Sequence, residues 1–161
     1  MDDAPIEIPT DHPCLLASLT ERLAASTDVD RPSLAAAALG SMLGSQSFDR
    51  CCAPRYRALA PDEGEREVQI PIATAGDIET RVLVWPVGSR DYPHPHTDGW
   101  TVFVPVAGEL TATTQMGEGS PTVGVLPARK PRTLRPEAGV VHRVRNLAQS
   151  VAMSIHVSGK S

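Results

Sequence analysis

The chain has 161 residues, which is enough to bury a hydrophobic core without cross-links, and a single domain is the simplest expectation. The chain has 15 Lys and Arg residues and 19 Asp and Glu residues, which gives a net charge of −4. This charge argues against a dedicated nucleic-acid binder. No apolar run approaches the roughly 20 residues that a spanning helix needs, so we expect no membrane partner.

The three cysteines do not describe a disulfide framework. Cys51 and Cys52 are adjacent, Cys14 is distant, and adjacent cysteines rarely bridge each other. The acidic N-terminal residues are followed by no apolar segment of the kind found in signal peptides. Reduced thiols and this N-terminus predict a cytoplasmic protein.

The first part of the chain predicts a loose arm over residues 1 to about 12 and then two helices. Asp11 is suited to cap the first helix, in which Leu15, Leu19 and Leu23 recur every four residues. The recurrence indicates an amphipathic helix with one apolar face.

A second helix start follows at Asp30 and Pro32. Leu34, Ala38 and Met42 then repeat every four residues, and the helix is expected to end near a glycine. Both helices belong to residues 1–64, which we expect to pack on the remainder of the chain.

From Arg66 onward the apolar period changes to two. Val68, Ile70 and Ile72 alternate with polar residues, as in a half-buried strand. Further strands are predicted at residues 81–85, 101–106, 110–115, 123–126, 133–134, 142–146 and 150–157. Short strands separated by Gly and Pro indicate a sandwich or barrel over residues 65–161. The fold class is therefore all-β dominated, with two N-terminal helices in one structural domain.

Two histidines at positions 94 and 96 are the strongest sign of a functional site. On a strand, His94 and His96 point to the same face, and imidazole is the commonest side-chain ligand of first-row metals. His142 follows a Pro136–Gly139 turn and would bring a third imidazole from a distant strand. Histidines that merely fall close together are the alternative, but the combination favours a metal site.

The first histidine segment resembles the first signature motif of the cupins, metalloproteins with a double-stranded β-helix. Gly88 precedes His94 with five residues between them, and His96 follows. Cupins usually carry a glutamate ligand four or five residues after the second histidine, and Trp100 and Thr101 stand there in this chain.

The second segment resembles the other cupin motif. Pro136 and Gly139 precede His142, and Asn146 follows four residues after the histidine. The resemblance implies a cupin double-stranded β-helix, or jelly-roll barrel, with two N-terminal α-helices.

The missing glutamate makes the chain similar to the cysteine dioxygenase family of thiol dioxygenases, whose iron is held by three histidines. The resemblance implies Fe(II) bound by His94, His96 and His142, with zinc or another divalent metal as the alternative. It further implies a small, cysteine-like thiol and O2 as substrates and a sulfinic acid as product. A monomer or a homodimer is expected.

Near the C-terminus, Ser154 and His156 match the Ser-x-His pair that supports the iron site in the same family. Alternation places both on one face of a strand, opposite Met153, Ile155 and Val157. If that face is internal, His156 is a hydrogen-bonding partner within the site. The alternative is an edge-strand histidine in contact with water.

A substrate carboxylate would be bound by an arginine. Arg66 shares the parity of the apolar residues that follow it, and Arg57 is a second candidate. For each of them a surface arginine is an equal alternative. Ser158 stands where the family usually has a tyrosine, and Tyr56 and Tyr92 are the tyrosines that remain as substitutes.

These departures leave two further hypotheses. One is a divergent enzyme that uses the same three histidines with another metal or for another reaction in specialised metabolism. The other is a cupin without catalytic activity that binds a metal or a small ligand. The identity of the bound metal separates the three hypotheses.

Overall fold

The computed structural model describes residues 11–27, 30–43, 56–95, 98–137 and 139–161. Within these ranges two helices precede nine strands, of which the short strand at residues 94–95 is not among the predicted ones. The helices are α1 (Asp11–Ala25) and α2 (Arg31–Leu43). The strands are β1 (Val68–Ala75), β2 (Ile78–Trp85), β3 (His94–Pro95), β4 (Gly99–Ala107), β5 (Leu110–Met116), β6 (Thr122–Leu126), β7 (Arg132–Leu134), β8 (Val140–Arg145) and β9 (Ala152–Lys160). Residues 1–10 of the predicted arm, the Cys51–Cys52 pair and His96 lie outside the described residues, and α1 begins within the last part of that arm.

The buried face of α1 agrees with the predicted stripe at two of its three leucines. Leu16, Leu19 and Leu23 are buried, whereas Leu15 is 50% exposed. Spacings of three and four residues follow the 3.6-residue helical period more closely than a strict spacing of four. Thr20 lies on the same face, and its hydroxyl bonds to the Thr80 hydroxyl on β2 at 2.7 Å.

The start of α2 is the one predicted. Asp30 accepts a hydrogen bond from the backbone N–H of Ser33 at 3.3 Å and from its hydroxyl at 2.7 Å, as a helix cap does. The face that α2 buries carries Ala35, Leu39 and Leu43. Within the ranges given above, no helix is long and apolar enough to cross a membrane.

All strands pair antiparallel in two sheets that face each other. One sheet has five strands in the order β1-β2-β9-β4-β7, and the other has four in the order β3-β8-β5-β6. The two-residue strand β3 pairs with β8 and thereby brings the first histidine segment beside the second. The sheet order therefore assembles the candidate site from distant parts of the chain.

The five-stranded sheet separates two hydrophobic clusters. The outer cluster joins leucines of both helices to Met153, Ile155 and Val157 of β9. The inner cluster lies between the sheets and contains Leu83, Trp85, Phe103, Leu110, Leu126, Val144 and Ala152. The apolar face of β9 therefore lies beneath the helices, and its Ser154 and His156 face points between the sheets.

The beginning of α2, the β1–β2 turn and the end of β9 meet in one ionic cluster. Arg31 donates two hydrogen bonds to the Asp77 carboxylate, at 2.8 and 2.7 Å, and a third to the Lys160 carbonyl at 3.1 Å. The hydrogen bonds from Arg31 hold the pKa of Asp77 at about 2, against an ordinary value of 3.8. This two-pronged contact ties a helix to the sheet that it covers.

We expect the Asp77→Asn variant to lower the free energy of unfolding at neutral pH by about 1 kcal/mol, a usual value for a well-formed, partly buried ion pair. Because the pKa of Asp77 is depressed in the folded state, its stabilisation is present above the unfolded pKa and is lost as pH falls from 3.8 toward 2. Urea denaturation at several pH values should show the two proteins converging in acid.

A matched control is the Arg135→Gln variant. Its ion pair with Asp30 is also short, at 2.9 Å, but both side chains are 55% exposed. Solvent screens such a pair, so the variant should unfold close to wild type. An Asp77→Asn difference that stays constant down to the lowest pH would contradict the role assigned to the carboxylate.

Candidate metal centre

A cavity of about 270 Å³ lies between the two sheets. It is lined by His94 and His142 of the four-stranded sheet, by His156 of the five-stranded sheet and by Arg66, which precedes β1. The volume is just below the usual range for pockets that bind drug-sized ligands, and it suits a smaller molecule.

His94 and His142 are direct partners in the pairing of β3 with β8. Side chains of directly opposed residues in an antiparallel pair lie on the same face, with Cβ atoms about 5 Å apart. Both imidazoles line the cavity. The two strands thus bring two imidazoles from distant parts of the chain to the same cavity.

Each of the two imidazoles has a partner at Nδ1. Nδ1 of His94 lies 2.7 Å from the carbonyl oxygen of Tyr92, to which it can only donate. Nδ1 of His142 lies 3.2 Å from the Thr114 hydroxyl. A neutral imidazole that is protonated at Nδ1 carries its lone pair on Nε2, as histidine ligands commonly do.

The surroundings of His142 favour the neutral form. Burial of the ring lowers its pKa, and the charges of His94 and Arg132 lower it further, whereas Glu137 acts in the opposite direction. A metal binds the unprotonated imidazole, so this shift favours ligation.

Asp91 positions the segment that leads into β3. Its carboxylate accepts a hydrogen bond of 2.6 Å from the backbone N–H of Val144 and lies 3.8 Å from Nδ1 of His94. Burial raises the pKa of Asp91, and the Val144 hydrogen bond acts in the opposite direction. The contact fixes the loop before His94 against β8, the strand that carries His142.

The donor set present fits a divalent metal ion with a preference for nitrogen ligands. His94 and His142 supply two imidazoles with their Nδ1 atoms engaged by second partners. In the ranges that the structure describes, no group of three or more His, Cys, Asp or Glu side chains is suited to a metal. His96 lies outside those ranges, and its assignment as the third ligand stays a prediction.

Ser154 and His156 face the interior of the barrel. The indole N–H of Trp85 donates to the hydroxyl of Ser154 at 2.9 Å, and this hydroxyl bonds to Nε2 of His156 at 2.9 Å. The His156 ring also stacks on Phe103, with ring centroids 5.3 Å apart. These contacts hold the imidazole in one orientation at the cavity wall.

A hydroxyl pair occupies the position at which thiol dioxygenases usually carry a tyrosine. Ser158 and Thr101 are opposite each other on β9 and β4, and their side-chain oxygens are 3.0 Å apart. Thr101 lines the cavity, whereas Trp100 is buried in the outer cluster beneath the helices. Neither of the two positions of the usual cupin glutamate therefore brings a carboxylate into the site.

The arginine candidates lie in different places. Arg66 lines the cavity, and its guanidinium stacks over the Tyr92 ring at 4.4 Å from the ring centroid. Tyr92 is 66% exposed, so this contact lies at the mouth of the cavity. Arg57 is exposed and is not part of the cavity wall, and Tyr56 is buried in the outer cluster.

Arg66 reaches the cavity although it shares the parity of the β1 residues that pack outward, contrary to the prediction. The apolar residues of β1, among them Val68 and Ile70, pack against the outer cluster. Glu67 and Gln69 have the opposite parity and line the cavity, together with Arg81 of β2. The signal for Arg81 was its shared parity with Leu83, a residue of the inner cluster.

Solved structures resemble this fold at low sequence identity. TT1209 from Thermus thermophilus aligns with a TM-score of 0.51 and 21% identity over 65% of this chain and 93% of its own. An uncharacterized conserved protein with a double-stranded β-helix domain from Klebsiella pneumoniae aligns with a TM-score of 0.50 and 23% identity, over 63% and 82% of the two chains. A cupin domain from Bordetella pertussis aligns with a TM-score of 0.48 and 19% identity, over 62% of this chain and 98% of its own.

No protein-family model matches the chain, and no curated protein matches it. At such identities the structural matches bear on the fold alone. The match to the Klebsiella pneumoniae protein agrees with the two facing antiparallel sheets described above. The chain has the cupin double-stranded β-helix fold, with two N-terminal helices, as the sequence predicted.

Proposed function

We propose that the protein is a mononuclear non-haem iron enzyme that oxidises a small, cysteine-like thiol to a sulfinate with O2. The observation that carries the proposal is the directly opposed pair His94 and His142, in a cavity where Thr101 stands at the usual glutamate position. His96 would complete the ligand set. Fe(II) bound by three neutral imidazoles keeps its charge of +2, and would supply a site for an anionic thiolate and for O2.

The overall reaction balances without a further reductant. A thiol RSH and one O2 give a sulfinic acid RSO2H, in which both oxygen atoms are bonded to the sulfur. The sulfur is oxidised and O2 is reduced by the same four electrons. A cavity of about 270 Å³ is large enough for a thiol of amino-acid size and is lined by both polar and apolar groups.

The protein side chains would orient the substrate and keep water away from it. Phe103 and Leu83 form the apolar part of the wall, and Arg66 provides a positive charge at the mouth. His156, held by Ser154 and Phe103, presents an imidazole to the same space. We assign His156 and Ser154 to the positioning of substrate and proton rather than to metal binding.

The proposal makes three predictions, and the first concerns the ligand set. Alanine variants of His94, His96 and His142 should each bind the metal more than about 100-fold more weakly. Loss of a residue that only hydrogen-bonds to a metal ligand already weakens binding by up to about 100-fold, and loss of a ligand should have a larger effect. Metal content of purified protein, measured by mass spectrometry, checks this.

The matched control is His156→Ala, which removes an imidazole from the same cavity. This variant should keep its metal and lose activity. Full metal occupancy in all three ligand variants would contradict the proposed site, and metal loss in His156→Ala would move that residue into the ligand set.

The second prediction concerns the metal and the substrate. Purified protein should contain iron, and an oxygen electrode should record one O2 consumed for each thiol oxidised, as the balanced reaction requires. Cysteine, 3-mercaptopropionate and cysteamine are the first thiols to test. Zinc without O2 uptake would favour a divergent enzyme, and protein that binds no metal would favour a ligand-binding cupin; either result contradicts the proposal.

The third prediction concerns Ser154. Its substitution by alanine removes the acceptor of the buried Trp85 N–H, and an unsatisfied buried donor costs about 1–3 kcal/mol. Urea denaturation should show this loss, together with a lower kcat. Ser158→Ala is the matched control, since Ser158 lies four residues further on the same strand and bonds to the part-buried Thr101 hydroxyl. Equal losses in both variants would contradict the special role of Ser154.

A further inference from the structure

One edge of the four-stranded sheet lacks the features that normally keep sheet edges apart. Strand β6 pairs with β5 on one side, and no strand of the described ranges pairs with its other side. Four of its five residues are exposed, and the strand contains no charged side chain, no proline and no register shift. An edge of this kind presents unpaired backbone N–H and C=O groups to a further strand.

The other three edges of the two sheets are protected. Strand β1 contains Pro71 with a register shift beside it, and β7 has only three residues, the first of which is Arg132. Strand β3 has two residues, and one of them is Pro95. Short strands, prolines, bulges and charges are the usual devices against edge-to-edge pairing. Among the edges that the structure describes, β6 is therefore the one that is open to pairing.

The side chains of β6 add an exposed apolar surface to this open edge. Val123 and Val125 are 62% and 59% exposed. Leu126 packs in the inner cluster, so alternation places both valines on the outer face of the sheet. Their partners on β5 are Thr113 and Thr111, which carry no charge. A second strand at this edge would cover the valines and pair the open backbone groups.

The charges that flank β6 have opposite signs at its two ends. Glu118 lies in the turn before the strand and Lys130 in the loop after it, and both are exposed. Each of them is six residues from Gly124, the central residue of β6. Arg129 adds a positive charge next to Lys130, and its backbone N–H donates to the Pro105 carbonyl at 2.7 Å, which anchors this loop to β4.

We propose that β6 pairs antiparallel with β6 of a second copy of this chain, about a twofold axis through Gly124. In this register, Val123 of each copy is opposite Val125 of the other. The turn before one strand meets the loop after the other, so that Glu118 of each copy lies near Lys130 of the other. The edge is complementary to itself in backbone, apolar side chains and charge, as a twofold interface requires.

The pairing joins two four-stranded sheets into one sheet of eight strands, and the helices take no part in it. Two five-residue strands with their flanking turns bury less than the roughly 1,600 Å² of a standard protein interface. We therefore expect a weak dimer, with a Kd on the order of micromolar.

Sedimentation velocity of the full chain from about 1 μM to about 1 mM measures this Kd. The double variant Val123→Lys, Val125→Lys puts like charges opposite each other on both sides of the axis and should weaken the dimer by more than about 10-fold. Leu15→Lys is the matched control, because it introduces the same charge at a leucine of α1 that is 50% exposed. This control should dimerise as wild type does.

Charge reversal tests the register of the pairing. Glu118→Lys and Lys130→Glu should each weaken the dimer by about 10-fold, because the twofold axis doubles the effect of each exposed pair. The double variant should recover the affinity of wild type. A mixture of the two single variants should form a heterodimer of that affinity, since opposite charges then meet at both ends. Glu21→Lys, at an exposed position on α1, is the control for the change in net charge.

Three outcomes would overturn the proposal. The first is a chain that stays monomeric at about 1 mM, which would assign the open edge to a partner of different sequence. The second is a dimer that Leu15→Lys disrupts and the valine double variant does not, which would place the interface on the helices. The third is a failure of the two charge-reversed variants to recover affinity in a mixture. All of these measurements are independent of metal content and O2 uptake.

Discussion

The organisation of the site depends on the two helices covering the outer face of the five-stranded sheet. Strand β9 places Met153, Ile155 and Val157 on that face, where they pack against the helices. Its other face, with Ser154 and His156, is thereby turned toward the second sheet. Since much of the apolar burial occurs outside the barrel, the interior can contain polar groups while the sheet remains anchored by a hydrophobic cluster.

The histidine pair depends on register rather than on distance along the chain. The two residues of β3 form too short a strand to hold a register alone. Asp91 fixes the preceding loop by accepting the Val144 N–H of β8, and the Tyr92 carbonyl orients the His94 ring. These contacts place His94 opposite His142 and aim both rings into the cavity. A shift by one residue would turn one ring out of the cavity.

Much of the fold follows from local patterns in the sequence. The Asp30 cap, the change of apolar period after Arg66 and the Gly- and Pro-separated strands predicted the helices and sheets that are observed. Which face of a strand points into the barrel was less predictable. Both faces of β9 are buried, and the alternation of side chains alone does not say which one lies between the sheets. The burial of Leu16 in place of Leu15 on α1 has a similar origin, since the two leucines are equally apolar and only packing decides which is buried.

The polar part of the site was harder to predict for a physical reason. Glu67 and Gln69 alternate with apolar residues on β1, and such a pattern normally indicates a face exposed to solvent. Here that face closes one side of a cavity. Likewise the Thr101–Ser158 contact depends on the pairing of β4 with β9, which no local pattern specifies.

The charges in the cavity wall bear on why the usual glutamate ligand can be absent. Among the described lining residues, Arg66 and Arg81 are balanced by Glu67 and Asp91. Three neutral imidazoles would add no charge, so a divalent ion would leave an excess of two positive charges in a partly buried space. A protein carboxylate would reduce this excess permanently. A cysteine thiolate, with its carboxylate and ammonium, carries one net negative charge and would reduce it only when bound. The excess positive charge would then be reduced by the bound substrate and not by the protein. This would favour binding of an anionic substrate over water.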